Sequence, residues 1–560
     1  MAPLVIQGAA DGNLANLYGP SGVRGIFQNR FLFSLGVAAS FGGLLFGYDQ
    51  GVISGVLVMN SFARTFPRLA HDANLQGWMV AVLQLGACFG AIVNGPIADR
   101  FSRKYSIAAA NVVFILGGVL QTTVKNITMM FVGRFFAGIA IGQLSMSVPL
   151  YLGEIAPPNV RGSLVTLQQW GISIGIMTSF WINYGTQYIG GSGNHQKELA
   201  WRLPIGLQMV PSVFLLLIST LFLPFSPRWL FLVGREEEAV KSLARIRRLP
   251  QDHIFIQQEI YEIKLAQRFD AKTVVERYPN AKTKWKQEFE LYNELITVAH
   301  LRKRLFVSCL MQLIQQFTGI NAIIYYAPTI FGFIGLSGNS IHLLATGVVG
   351  IINVLSTSIA FVGLDLIGRR TILLVGAVGM GISQLIVATL YAVHEHSWSS
   401  HRSAGWAAAV FIWIFIANFA YSIGCVNWVY PSEIFPPSVR SKAIGIAVAT
   451  NWICNFIIGL VTPRMLTSIR FGTFYFFFAF CVILFVWVFF FLPETKGVPM
   501  EEMDIIWGGN QAAEDLERMA RVMAELQNEE GNESLDPLAR AKQASEHVEM
   551  ADFRKLPRDI

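Results

Sequence analysis

The sequence predicts an all-α membrane protein: twelve transmembrane helices in two pseudo-symmetric six-helix bundles, with a cytoplasmic helical segment between them. Composition is the first reason. Of 560 residues, 53% are hydrophobic and 14% charged, whereas a soluble domain carries about a quarter charged residues. Length is the second. About twelve runs of 18 or more mainly apolar residues are centred near 42, 87, 115, 140, 175, 212, 318, 352, 381, 418, 452 and 482, each able to cross a hydrocarbon core of about 30 Å. They are too long for barrel strands and do not alternate. The third reason is an internal repeat. GPIADRFSRK after the second run matches GLDLIGRR after the eighth, and GEIAPPNVRG after the fourth matches SEIFPPSVRS after the tenth. Glu154 and Arg161 keep the spacing of Glu433 and Arg440, and PFSPR and PETKG form a looser third pair.

In chain order, residues 1–29 read as a cytoplasmic N-terminal tail and 30–223 as the first bundle. Residues 224–303 form a cytoplasmic helical linker, because Ala239, Leu243 and Ile246 recur three or four apart among charges. Residues 304–492 are the second bundle, and 493–560 a charged cytoplasmic tail, helical at first and then disordered. The formal charge of +7 is clustered at Arg100, Arg103 and Lys104, at Arg369 and Arg370, at Arg440 and Lys442, and in the linker. All fall on one side if spans alternate, which makes that side, with both termini, cytoplasmic. Arg64, Arg68, Lys197 and Arg464 are scattered on the opposite loops.

Such charge is membrane topology and gives no reason to expect a nucleic-acid partner. The five cysteines lie inside spans as small packing residues, not as a disulfide framework. No cleavable signal precedes the first span. No nucleophile–base set, metal cluster or phosphate loop appears, so the chain is not expected to be an enzyme or to need a cofactor or metal.

Two spans carry charge where charge is costly. FGGLLFGYDQGVISG, Phe41 to Gly55, holds Asp49; an acid at a bilayer centre costs about 2.5–3.5 kcal/mol and so faces a partner or a wet cavity. Gly42, Gly43, Gly47, Gly51 and Gly55 recur around it at helical spacing and admit a neighbouring helix or a ligand. The plainest role for Asp49 is cement between helices. Arg134, in VGRFFAGIAIG, is an intramembrane base in the fourth span. In the seventh span Gln315, Gln316, Asn321, Tyr325 and Tyr326 surround Gly319, which can break the helix and expose polar groups at the midplane. Neutral amides donate and accept, which suits hydroxyl groups; the alternative for each is interhelical glue.

FGYDQGVISG, GPIADRFSRK, VGRFFAGIAIG, YLGEIAPPNVRG, QQFTGINAIIYYAP, DLIGRR, YPSEIFPPSVR, NWICNF and PETKG together identify the family. The chain resembles the sugar porters of the major facilitator superfamily over about residues 30–505, and fungal members in particular through its long central segment. The resemblance implies a multi-pass plasma-membrane carrier that imports a monosaccharide, hexose or pentose, by alternating access as a proton symporter. Its partners would be that solute, the proton and the lipid bilayer. A facilitative uniporter, a carrier of a sugar acid, quinate-like acid, polyol or disaccharide, and a non-transporting sugar sensor are the alternatives.

By the same resemblance, Gln169, Asn353, Gly424, Trp428 and Asn451 join Gln315, Gln316, Asn321 and Tyr325 around the solute. Trp428 offers a flat face to a pyranose ring, and Ile172 and Ile176 line the stripe of Gln169. It sets Arg134 against Asp49 as the proton site. Asp99, Arg100, Arg103, Glu154 and Arg161 then face Asp365, Arg369, Arg370, Glu433 and Arg440 in a cytoplasmic gate of ion pairs, each worth about 0–1 kcal/mol. Three positions depart from the family pattern: Ser102 stands for glycine, Phe225 for the glutamate of PESPR, and Asn427 for the proline before Trp428. Asn126, in N-I-T, lies in an outer loop close to the membrane, and Asn532, in N-E-S, on the cytoplasmic side.

Overall fold

A computed structural model describes residue 25 and residues 27–157, 160–191, 193–279, 283–336, 338–398, 400–496, 503, 506, 507 and 511–529. Asn532 and most of both tails lie outside the described residues. Those described are helical, with no strand among them.

The first six crossings begin with α1 (Arg30–Leu57), followed by the short α2 (Asn60–Thr65) and α3 (Pro67–His71). Then come α4 (Ala73–Phe101), α5 (Arg103–Thr122), α6 (Ile127–Ile155), α7 (Arg161–Thr186), and the split crossing α8 (Leu199–Leu207) and α9 (Met209–Leu221). Next in the chain are α10 (Pro227–Leu232), α11 (Glu236–Arg247), α12 (Ile254–Arg277) and α13 (Lys284–Thr297). The second six are α14 (Ala299–Phe317) with α15 (Ile320–Phe333), α16 (Asn339–Ile367), α17 (Arg369–His394), α18 (Arg402–Tyr421) with α19 (Ile423–Ile434), α20 (Pro437–Ser468) and α21 (Gly472–Phe491); α22 (Gln511–Glu529) closes the described chain.

Eleven of the crossings are long and apolar enough on their own to span a bilayer. The twelfth, α7, is as long but carries Gln168, Ser173, Ser179 and Asn183, all buried. Its polarity follows from its place, since it packs α1 on one side and α16 on the other. The α1–α7 seam is close because glycines on both helices leave out side chains: a Cβ at Gly47 would strike the carbonyl oxygen of Ile172, and one at Gly171 would come 2.7 Å from that of Ser40. Large apolar side chains such as Ile92, Leu221, Ile359 and Phe490 are exposed, as a lipid-facing belt requires.

The sequence repeat reappears as repeated geometry. Single residues join α4 to α5 and α16 to α17: Ser102 at φ 85°, ψ 154°, and Gly368 at φ 102°, ψ 152°. The arginine after each joint then meets a glutamate, Arg103 Nε to Glu154 Oε1 at 2.9 Å and Arg369 Nη2 to Glu433 Oε1 at 2.9 Å. Backbone of this kind favours glycine and costs another residue about 1–3 kcal/mol. Ser102 recovers a little by accepting from Tyr105 N–H at 3.2 Å, a cap that glycine replaces at a loss of a few tenths of a kcal/mol. Ser102→Gly is therefore expected to stabilise the protein by about 1 kcal/mol, read as a higher melting temperature in detergent. Gly368→Ser should lower it, since a Cβ there would lie 2.7 Å from Glu494 Oε2.

Residues 224–290 and the C-terminal helix form a second compact unit. Its core is Trp229, Leu230, Phe231, Ala239, Leu243, Ile256, Ile260 and Ile263; Ile246 is buried as well, so the apolar stripe expected from its spacing faces inward. Phe225 stacks on Trp229, ring centroids 5.7 Å apart. In the same unit α22 lies along α12, with Val522 and Leu526 on Leu265. Arg518 bonds Glu276 at 2.8 Å and Asp515 at 2.9 Å, and Arg277 bonds Asp515 at 2.8 Å. The hydrogen bond from Arg518 holds the Glu276 carboxyl below the usual glutamate range. That contribution is present above the ordinary glutamate pKa and is lost as pH falls through the lowered one. Hydrogen exchange over 511–529 is expected to quicken in that acidic window and not between neutral and mildly acidic pH.

Candidate functional site

Gly319, at φ 95°, ends α14 and starts α15, so the seventh crossing is broken where the sequence expects it. The residue must be glycine twice over, because a Cβ would also lie 2.5 Å from the Phe477 ring. The break leaves Gln312, Gln315 and Gln316 on the last turns of α14 and Asn321 on the first turn of α15. The tenth crossing is broken too, at Ser422 (φ −108°, ψ −105°), and its second part carries Gly424, Asn427 and Trp428.

The amides from these breaks meet Asn451 of α20 in one buried cluster. Gln316 Nε2 donates to Asn451 Oδ1 at 3.1 Å, and Asn321 Nδ2 donates to Gln316 Oε1 at 2.6 Å. Asn451 Nδ2 donates to Gln312 Oε1 at 2.7 Å and to Gln315 Oε1 at 2.9 Å. Asn427 Nδ2 donates to Gln312 Oε1 at 2.7 Å and also to Gln315 Oε1. Gln312 Nε2 returns a bond to the backbone carbonyl of Asn427 at 3.2 Å.

Two prolines supply acceptors to this region. Pro431, inside α19, has no N–H, so the carbonyl of Asn427 four residues earlier loses its helical donor. Pro463, inside α20, does the same to Gly459, whose carbonyl accepts from Tyr326 Oη at 2.8 Å. The seventh crossing is thus pinned to the tenth and eleventh through carbonyls that an uninterrupted helix would have used.

Tyr325 joins the two halves. Its hydroxyl accepts from Gln50 Nε2 of α1 at 3.1 Å and donates to Asn455 Oδ1 of α20 at 3.0 Å, with the Gln84 amide of α4 at 2.8 Å. Phe46 of α1 packs on Trp452, next to Asn451, at 5.1 Å. Between the halves α7 and α16 run antiparallel, with Ser173 Oγ 3.1 Å from Thr357 Oγ1, and Trp170 Nε1 donating to Ser358 Oγ at 3.0 Å. Ile172, Ile176 and Asn353 are buried on these two helices, and Gln169 is half-buried one turn before Ser173. Gly424 lies 3.0 Å, by the Cβ it lacks, from the Phe419 ring, and Trp428 is half-buried.

Asp49 and Arg134 are 0% and 1% exposed, with Nη1 3.9 Å from Oδ1. The arginine spends its Nε on the carbonyl of Met79 at 2.6 Å. Neither carboxylate oxygen of Asp49 takes a hydrogen bond among the described residues. The ion pair is therefore loose, held by charge and not by a hydrogen bond.

At the end carrying the basic connections, each half has an arginine–glutamate pair of its own. Asp99 lies 3.0 Å from Arg103 Nη1, beside the Arg103–Glu154 pair. In the second half Thr495 Oγ1 donates to Glu433 at 2.5 Å, and Glu494 accepts the N–H groups of Arg369 and Arg370 at 2.9 and 3.0 Å, a carboxylate at the N-terminus of α17. Arg370 also reaches the carbonyl of Phe489 at 2.6 Å, Arg440 that of Phe435 at 3.1 Å, and Arg100 lies over the Phe101 ring at 5.5 Å. Arg161 heads α7 at the same end. The Asp365 side chain lies outside the described residues.

The structure thus draws Gln315, Gln316, Asn321 and Asn451 into one network. Gln169, Asn353, Gly424 and Trp428 make no hydrogen bond to it among the described residues. Sequence reasoning missed Gln312, Gln50 and Asn455 and took Asn427 only as an oddity beside Trp428. The signal was there in part: Gln312 precedes Gln315 and Gln316 by three and four residues, and Asn455 follows Asn451 by four, one helical face in each case.

Residues 35–507 match the family described as "Sugar (and other) transporter". A probable quinate permease of Aspergillus niger is 34% identical over 538 residues, covering 94% of this chain and 96% of that protein. The quinate permease of Emericella nidulans is 35% identical over 486 residues, covering 85% and 88%. Among solved structures, the xylose transporter XylE of E. coli in a partially occluded inward-open conformation is similar at a TM-score of 0.68 and 28% identity, over 84% of this chain and all of that one. The proton:xylose symporter XylE bound to 6-bromo-6-deoxy-D-glucose gives 0.67 and 29%, over 85% and 99%.

Proposed function

We propose a cargo and a coupling for this chain, which belongs to the Sugar (and other) transporter family and is a multi-pass membrane transporter. It imports a neutral polyhydroxylated solute, a hexose or pentose, across the plasma membrane together with a proton, with both termini cytoplasmic. The observation that carries this reading is the amide cluster at the two broken crossings: every polar group in it is uncharged, and uncharged donors and acceptors suit hydroxyls.

Coupling is assigned to Asp49 and Arg134. Two charges about 4 Å apart attract by about 1 kcal/mol in water and about 4 kcal/mol at an effective dielectric of 20. Wetting or closing the space around the pair changes its strength severalfold, and a proton on Asp49 removes it. The symport named for XylE supports the same assignment. Arg103–Glu154 and Arg369–Glu433 stand at matching places at the cytoplasmic ends of the two halves, where each fixes the helix ends that would move together as the halves rock.

A second reading has specific support: relatives at 34–35% identity are named quinate permeases, and a carboxylated polyol would use the same hydroxyl partners. Against it, the intramembrane cation Arg134 is held by Asp49 and Met79. Tracer uptake of D-glucose, D-xylose and quinate, in a host without its own carriers, at acidic and neutral pH with and without a protonophore, decides between them. Sugar uptake abolished by the protonophore is expected. Quinate carried in preference to both sugars would replace the neutral-solute reading, and uptake indifferent to the protonophore would remove symport.

A further inference from the structure

The amide cluster has a direction, and one backbone oxygen sets it. A carbonyl only accepts, so the bond between Gln312 and the Asn427 carbonyl must come from Gln312 Nε2, and Gln312 Oε1 is turned to the other side. There it can only accept, so Asn427 and Asn451 both present Nδ2. Each Nδ2 has a second hydrogen, and both go to Gln315 Oε1. Four bonds saturate two oxygens, which leaves Gln315 Nε2 as the outward end. On the other branch, Asn451 Oδ1 is left to accept from Gln316 Nε2, whose Oε1 accepts from Asn321 Nδ2. Asn321 Oδ1 becomes the second outward end.

We infer that Gln312, Asn427 and Pro431 form a polarity anchor: the carbonyl freed by Pro431 orients Gln312 and Asn427, which turn Gln315 donor-outward and Asn321 acceptor-outward toward the solute. This rests on the amide cluster being the solute site. Gln315 and Asn321 are each still 6% exposed, and neither outward atom is bonded among the described residues. The arrangement selects a solute that presents an accepting oxygen to Gln315 and a hydroxyl hydrogen to Asn321. Gln312 and Asn427 are positioning residues, and the buried, unbonded Asn427 Oδ1 shows that the side chain is placed for what its nitrogen does.

Pro431→Ala is the discriminating variant, because it touches none of the amides. It returns a backbone N–H to the Asn427 carbonyl and so competes with Gln312 for the oxygen that sets the direction. The measurements are tracer uptake of D-glucose, D-xylose and quinate, with thermal melting of the purified full-length protein. We expect Pro431→Ala to melt no lower than the wild type yet to raise the half-saturation concentration at least fivefold, with the maximal rate within about twofold. A wild-type half-saturation concentration in that variant overturns the anchor. Gln312→Leu and Asn427→Leu, singly and together, test the linkage: the double variant should lose less melting temperature than the two single losses added, as residues of one network do. Fully additive losses overturn the anchor whichever solute is carried. Failure of all three solutes counts against the proposed cargo alone, because the melting comparison still decides the anchor.

Discussion

Asp49→Asn is expected to abolish accumulation of solute against its gradient while sparing exchange across the membrane. The substitution keeps the side-chain volume at a fully buried position and removes both the charge that faces Arg134 at 3.9 Å and the group that can carry a proton. With no proton to bind, solute movement no longer draws on the proton gradient, and the ratio of internal to external solute should fall to one. Exchange needs only the rocking of a loaded carrier, and the asparagine resembles the protonated acid in charge. Proteoliposomes with an imposed pH gradient report the first quantity and counterflow of labelled solute the second. Intact uphill accumulation in this variant would remove Asp49 from the coupling site. Loss of exchange as well would return Asp49 to the role of structural cement.

Gln316→Leu should raise the half-saturation concentration about tenfold to a hundredfold, the equivalent of about 1.4–2.8 kcal/mol. Gln316 is the bridge over the break at Gly319: its oxygen holds Asn321 of α15 at 2.6 Å and its nitrogen holds Asn451 of α20 at 3.1 Å. Leucine fills a similar volume and satisfies neither partner, so two polar atoms at a site 3% exposed are left unpaired, each at a cost of about 1–3 kcal/mol. Losing the bridge also frees the first turn of α15 to rotate. Gln316→Glu should be no milder: one oxygen can still accept from Asn321, but the other sets an acceptor against Asn451 Oδ1 in place of the donor found there, and it buries a charge in a membrane span. Uptake kinetics normalised to the amount of carrier in the membrane separate these outcomes. An unchanged half-saturation concentration in the leucine variant would exclude the residue from solute binding.

What the sequence determined by itself is what a bilayer makes conspicuous. Apolar runs count the crossings, α7 near residue 175 among them even though it is less apolar than the other eleven. Asp49 and Arg134 announce themselves because charge is expensive in hydrocarbon. Gly319 marks the break in the seventh crossing because the chain there takes a backbone conformation at φ 95° that only glycine enters without strain. The repeat of GPIADRFSRK and GLDLIGRR foretold two like joints, and the joints match to within about 20° in φ.

Tertiary structure alone decided the hydrogen bonds. Spacing along a helix says which side chains share a face, but an amide carries a donor and an acceptor at the same reach, and nothing in its own sequence neighbourhood turns it. The direction of the Gln312–Asn427 network comes from a carbonyl that Pro431 deprives of its partner, on a helix more than a hundred residues away along the chain. For the same reason Tyr325, read as a ligand for solute, is found joining α1 to α20 through Gln50 and Asn455. Local sequence can place polar groups at the midplane; only the meeting of three helices determines which atom of each is bonded and which is left over.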